Sequence, residues 1–162
     1  DVYKRQAHKR GTCQKGQPFK GNVEGCDPRY SFRWIGKSNT VYVFEAPIDM
    51  LSFISMYQKG WMDHSYVALC GVAEHALMQL LNDAPHISQI ALCLDHDKAG
   101  IQARERIKKN LSERGYHMVF SLFSNLKDWN EDLQELKKPP PEYMNRQQTV
   151  IQMMRDEQNE LI

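Results

Sequence analysis

The chain has 162 residues, 41% of them apolar and 25% charged, with a net charge of +1; that balance suits one globular domain with a real core and a small appendage. No uninterrupted apolar run approaches the roughly 20 residues of a membrane helix and no signal-peptide pattern opens the sequence, so no membrane contact is expected and the reading is cytoplasmic. Four cysteines at 13, 26, 70 and 93 lack any C-x-x-C pair, which argues against structural zinc; Cys70 and Cys93 fall in strand-like runs and are expected as reduced core residues.

Residues 1–37 carry nine Lys or Arg against three Asp or Glu, while the remaining 125 carry twelve against seventeen. A basic arm beside an acidic body suits a polyanionic partner. Asp1 is not Met and residues 1–6 carry neither cap nor strand signal, as expected of a fragment of a longer protein. Residues 1–38 are rich in Gly and Pro and read as turns joining short strands such as 30–35. From Thr40 the pattern changes. Strand 40–45 (TVYVF, then Glu45) leads into a helix over 47–59 with Pro47 in its first turn and an apolar run through Ile48, Leu51, Ile54 and Tyr57. Strand 65–70 leads to helix 73–83, strand 87–94 to helix 99–114, and strand 117–123 to a short helix opening at Lys127 to Asp132. Helix 99–114 is expected to turn Ile101, Ile107 and Leu111 inward and to leave Arg104, Arg106, Lys108 and Lys109 on a wet surface. Pro139, Pro140 and Pro141 mark a stiff break, and 145–161, with Val150, Ile151, Met153 and Met154, reads as a last helix.

Strands separated by helices predict β-α-β units: an α/β fold with a mostly parallel sheet flanked by helices. In such a sheet ligands bind beyond the carboxyl ends of the strands. Three strands end in acid there. Asp95 and Asp97 alternate along an extended chain and so face one way; like charges held that close call for a cation between them. The competing reading is that Asp95 ends a strand and Asp97 caps the next helix. Glu45 and Asp128 are expected at the same crevice.

The segments FEAPID (Phe44 to Asp49), LCGVA (Leu69 to Ala73), LDHDKAG (Leu94 to Gly100) and KDWNEDL (Lys127 to Leu133) occur in an order that resembles the Toprim domain of bacterial primases, topoisomerases and some nucleases. HKRGT (His8 to Thr12) and PFKGNVEGCDPRYSF (Pro18 to Phe32) resemble, more narrowly, the primase-like Toprim proteins of bacterial plasmids and integrative mobile elements. The resemblance implies a basic, β-rich segment at 1–38, a Toprim catalytic domain at 39–138 and a proline break with a terminal helix at 139–162. It implies that Glu45 serves as general acid or base or as a metal ligand, and that Asp95 and Asp97 hold Mg²⁺, with Mn²⁺ as substitute; oxygen donors suit both ions. Asp49 and Asp128 are further metal candidates, although a helix start explains either, and explains Asn130 and Glu131 too. Gly71 is a candidate for close approach to a phosphate. Lys9, Arg10, Lys20 and Lys98 are candidates for contact with nucleic acid or phosphate.

The leading expectation is therefore a primase-like nucleotidyltransferase acting on single-stranded DNA and nucleotides alongside other replication or mobilisation proteins. The zinc ribbon and helicase-binding module of primases are missing from the pattern, so the chain is expected to be capable of metal binding yet inactive alone. Alternatives are Toprim-type cleavage of DNA by a nuclease or topoisomerase, a non-catalytic DNA-binding module, and, more remotely, a haloacid-dehalogenase-like phosphatase, which places its D-x-D after the first strand.

Overall fold

The computed structural model describes residues 8–10 and 20–138. β1 (His8–Arg10) and β2 (Lys20–Asn22) pair antiparallel in a sheet of their own. Five strands form the main sheet: β3 (Arg33–Trp34), β4 (Thr40–Phe44), β5 (Ser65–Ala68), β6 (Gln89–Leu92) and β7 (Met118–Ser121). Their order is β3-β5-β4-β6-β7, with β3 antiparallel to β5 and every other pair parallel. The helices are α1 (Pro47–Met56), α2 (His75–Asp83), α3 (Lys98–Glu113) and α4 (Trp129–Leu136). The expected α/β, mostly parallel architecture is the one found. The proline break and the segment 145–161 lie outside the described residues.

Strand alternation builds two cores. Val41, Val43, Val67, Ile90 and Leu92 pack on Leu77 and Leu80 of α2 and on Ala103, Ile107 and Leu111 of α3. Phe44, Tyr66, Ala91 and Cys93 point the other way and pack on Met50 and Phe53 of α1 and Trp129 of α4. A sheet buried on both faces in this way needs the apolar, β-branched strands that the sequence supplies.

Several boundaries move inward. Helix α1 stops at Met56, short of the expected 59, where Tyr57 N–H closes on Phe53 O; Gly60 opens a single 3₁₀ turn, Trp61–Asp63. Leu51 and Tyr57 are exposed, because α1 turns Met50 and Phe53 to the sheet and buries Asp49 and Ser52 beside α4. In α3 the buried stripe is Gly100, Ala103, Arg104, Ile107 and Leu111. This corrects two expectations: Ile101 is 45% exposed and Arg104 only 3% exposed. The i, i+3, i+4, i+7 rows that contain Ile107 and Leu111 pass through Arg104 and leave Ile101 to one side. Cys70 is also corrected: it lies past the end of β5, in a turn, with φ +55°. Cys93 is fully buried, as expected. Trp129 is buried, whereas Trp34 is exposed, packs against Trp61 with ring centres 5.3 Å apart and planes tilted by 50°, and donates its indole N–H to Met62 O.

Strand β3 is tied to α2 by Arg33 Nη1 on Asp83 Oδ2 at 2.7 Å. Hydrogen bonds from Arg33 and then Gln79 hold the Asp83 carboxyl below its ordinary pKa. A carboxyl depressed in the folded state stabilises above its unfolded pKa of about 3.9, and that contribution is lost as pH falls through the lower folded value. Asp83→Asn is therefore expected to lower stability by no more than about 1 kcal/mol at pH 7, since the pair is partly exposed. The difference from the native chain should vanish in denaturant melts run at progressively more acid pH.

Candidate active site at the carboxyl edge

The sheet reverses its winding between β4 and β6. The connection from β4 leads to β5 on one side, and that from β6 leads to β7 on the other. This is a topological switch point, where the loops diverge and leave a crevice. Glu45 is the first residue beyond β4 and Asp95 the third beyond β6, on neighbouring parallel strands in register through Val43 and Leu92. Both are half-buried, and Glu45 Oε2 and Asp95 Oδ1 are shielded from solvent.

Hydrogen bonds between loops continue the sheet past its strands. Cys93 N–H donates to Val43 O (2.8 Å), Leu69 N–H to Phe44 O (2.8 Å) and Gly71 N–H to Glu45 O (3.1 Å). On the other side Leu122 N–H donates to Leu92 O (3.0 Å), and His96 N–H to Lys127 O (2.8 Å). The Trp129 indole N–H closes the set on Cys93 O at 2.9 Å. The four loops after β4, β5, β6 and β7 are thus joined.

The structure separates the five metal candidates into two groups. Glu45 and Asp95 stand at adjacent strand ends. The other three serve backbone amides. Asp97 is the N-cap of α3 and its Oδ1 accepts from Gly100 N–H at 2.9 Å. Asp128 is the N-cap of α4 and accepts from Glu131 N–H at 2.8 Å, while Glu131 Oε2 accepts from Lys127 N–H at 3.3 Å. Asp49, 4% exposed, accepts from Asn130 N–H at 3.3 Å, and Ser52 Oγ donates to Asn130 Oδ1. Among the described residues no three His, Cys, Asp or Glu side chains gather as a metal-holding group.

Gly100 is required by close approach. A Cβ there would collide with the Asp95 carbonyl oxygen, so the D-x-D turn folds tightly onto the first turn of α3 only with glycine. Gly71 has φ +138° and open space where a Cβ would be. Its N–H is committed to Glu45 O, so any phosphate near it would meet the Cα side alone. Lys98 begins α3 and is exposed. Lys9 is exposed in β1; Arg10 and Lys20 lie in β1 and β2, with side chains outside the described ones.

Two contributors escape sequence reasoning. Asp132, buried, accepts from Asn125 N–H and Leu126 N–H at 2.8 Å each and fixes the loop after β7. Arg104 donates Nη2 to Leu94 O at 2.9 Å, directly behind Asp95. Its guanidinium lies 4.3 Å from the Phe123 ring centre, and burial lowers its pKa from the ordinary value. The Asp132 signal was in its spacing, one turn past the Asp128 cap; Arg104 gave none. A cleft of about 390 Å³, lined mainly by aromatic residues including Tyr42, Phe53, Tyr66, Phe123 and Trp129, has no carboxylate in its lining. Burial, then Tyr42, pushes the Tyr66 hydroxyl up to about 12, so this hydroxyl supplies no proton acceptor near neutral pH. The carboxylates stand at the strand ends, and the cleft adjoins that edge through Phe123 and Trp129.

The profile of a family described as Toprim-like matches residues 42–133. An uncharacterized homologue of the protein MG010, from Mycoplasma pneumoniae, is 31% identical over 96 residues, 59% of this chain and 43% of that protein. MG010 of Mycoplasma genitalium is 30% identical over 97 residues, 59% of this chain and 42% of its own length. The chain therefore spans less than half the length of these curated relatives. The primase fragment of the bacteriophage T7 primase-helicase protein superposes with a TM-score of 0.51 and 24% identity, covering 63% of this chain and 41% of that one. That likeness is one of fold.

Substitutions at two positions test how the turns are built. Gly100→Ala is expected to destabilise the chain by about 2 kcal/mol, because the added methyl meets backbone and not a movable side chain. Asp128→Ala should cost about 1 kcal/mol as a lost cap, with Asp128→Asn close to native, since an amide oxygen caps as well as a carboxylate. Chemical denaturation of the three variants checks both.

Proposed function

We propose that this chain, which belongs to the Toprim-like family, is a primase-type nucleotidyltransferase domain that joins nucleotides on a single-stranded DNA template in the bacterial cytoplasm. The single observation that carries the proposal is the pairing of Glu45 and Asp95 at the switch point between β4 and β6. Two half-buried carboxylates at adjacent strand ends form an oxygen-only donor set that suits Mg²⁺, with Mn²⁺ as substitute. Magnesium is commonly held by one or two protein carboxylates and completes its shell with water and substrate phosphate. A pair of ligands is therefore a sufficient fit, and a cage of three is not needed. Asp97, two residues beyond Asp95 and with Oδ1 on the Gly100 amide, adds negative charge from the start of α3.

When bound, such a cation supplies neutralisation of phosphate charge and activation of an attacking oxygen. The residues of the chain do the remaining work. Glu45 takes the proton of the attacking hydroxyl. Lys98 offsets phosphate charge from the start of α3, and Lys9, Arg10 and Lys20 grip the template backbone. The joined loops hold the carboxylates in place, so little reorganisation accompanies reaction. Membership of a plasmid or integrative element, with replication or mobilisation proteins as partners, is the context that the resemblance of His8 to Phe32 supports.

Electron paramagnetic resonance of Mn²⁺ together with nucleotide incorporation on a single-stranded template tests this reading. Glu45→Gln and Asp95→Asn are each expected to weaken Mn²⁺ binding by at least roughly tenfold and to abolish incorporation, while Asp128→Asn leaves Mn²⁺ binding near native. Unchanged Mn²⁺ affinity in both variants would overturn the assignment. Metal-dependent shortening of the template would point instead to cleavage, and EDTA-resistant DNA binding without turnover would point to a binding module.

A further inference from the structure

We propose that Phe123 is a stacking platform for a nucleobase beside the carboxylate pair. The inference rests on the reading of this edge as a nucleic-acid site, and deepens it: the carboxylates and lysines address phosphate, and Phe123 addresses the base. Strand β7 ends at Ser121, but Leu122 N–H still donates to Leu92 O at 3.0 Å, which carries Phe123 to the level at which β6 runs out into Leu94 and Asp95. Its side chain is 52% exposed. A large apolar ring half in water is unfavourable in isolation, and a flat partner laid against it would recover that loss.

Arg104 explains why the ring stays there. Its guanidinium lies 4.3 Å from the ring centre, well within cation–π range. The same group donates Nη2 to Leu94 O, so ring and carboxylate loop share one buried support. His96, between the two aspartates, borders the ring at 5.4 Å with the planes tilted by 53°. Behind Phe123 the chain is fixed: Ser124 Oγ donates to Leu126 O, and the amides of Asn125 and Leu126 are held by Asp132. The ring is thus backed by a cation, exposed elsewhere and held by a braced loop. A phenyl ring offers no hydrogen-bond donor or acceptor, so the platform should accept any base, as sequence-tolerant single-strand binders do.

The test uses the full chain, a single-stranded oligodeoxynucleotide with one 2-aminopurine moved stepwise along it, and Mn²⁺. Stacking should quench 2-aminopurine at one position in the native protein. Phe123→Leu is expected to lose that quench and bind about tenfold more weakly, with Phe123→Tyr restoring both. In the native protein an abasic residue at that position should reproduce the loss of affinity without altering the chain. A Phe123→Leu protein that binds and quenches like the native one, or an abasic oligonucleotide bound as tightly as the intact one, overturns the proposal. Mn²⁺ resonance keeps the two readings distinct. Quenching at Phe123 without Mn²⁺ uptake supports the platform and sinks the metal assignment, while native Mn²⁺ uptake without any quench sinks the platform alone.

Discussion

Backbone hydrogen bonds that run on after the strands have ended are the constraint on which this molecule depends. A parallel sheet buried on both faces leaves peptide groups at its carboxyl edge that must find partners or incur the cost of burial without them. Here the partners come from neighbouring loops: Gly71 on Glu45, Cys93 on Val43, His96 on Lys127, and the indole of Trp129 on Cys93. Each bond satisfies a polar group and also fixes one loop against the next. The acidic edge inherits its rigidity from that pairing. The backbone that carries its side chains is held by the continuation of the sheet.

The acidic residues near this edge divide between helix starts and strand ends, though their chemical type is one. A helix start needs an acceptor for its open amides and favours negative charge. Asp97 and Asp128 meet that need at α3 and α4, and Asp49 meets it from outside by reaching the amide of Asn130. Glu45 and Asp95 differ from these in position: they follow strands directly and precede the helix starts, at the ends of neighbouring parallel strands. Both groups deposit negative charge in the same volume, so the caps add to the field that would draw a cation toward the strand ends.

Much of this was legible because it is local. The run TVYVF, the proline after Glu45 and the alternation of short strands with helices fixed the order of elements, and the strand ends placed Glu45 and Asp95 on one edge. What escaped was set by distance along the chain. Asp49 finds its partner 81 residues away, beyond the reach of any local pattern. Arg104 read as a solvated charge because its α3 neighbours are charged, yet the helix phase buries it against Leu94 and Phe123. The two helical meanings of an aspartate, cap and ligand, share a residue type and a position, so the caps at Asp97 and Asp128 became visible only through their amide hydrogen bonds.

The turn at Cys70 and Gly71 has a wider consequence. A non-glycine residue at φ +55°, followed by glycine at φ +138°, is a conformation few sequences adopt, and the contact of Ser31 Oγ with Cys70 Sγ at 3.0 Å supports it from β3's side of the sheet. Such a corner has essentially one shape. Its ordering entropy is therefore spent when the chain folds, so the backbone beside Glu45 is already set in shape, with the Gly71 amide fixed on the Glu45 carbonyl, before anything approaches this edge.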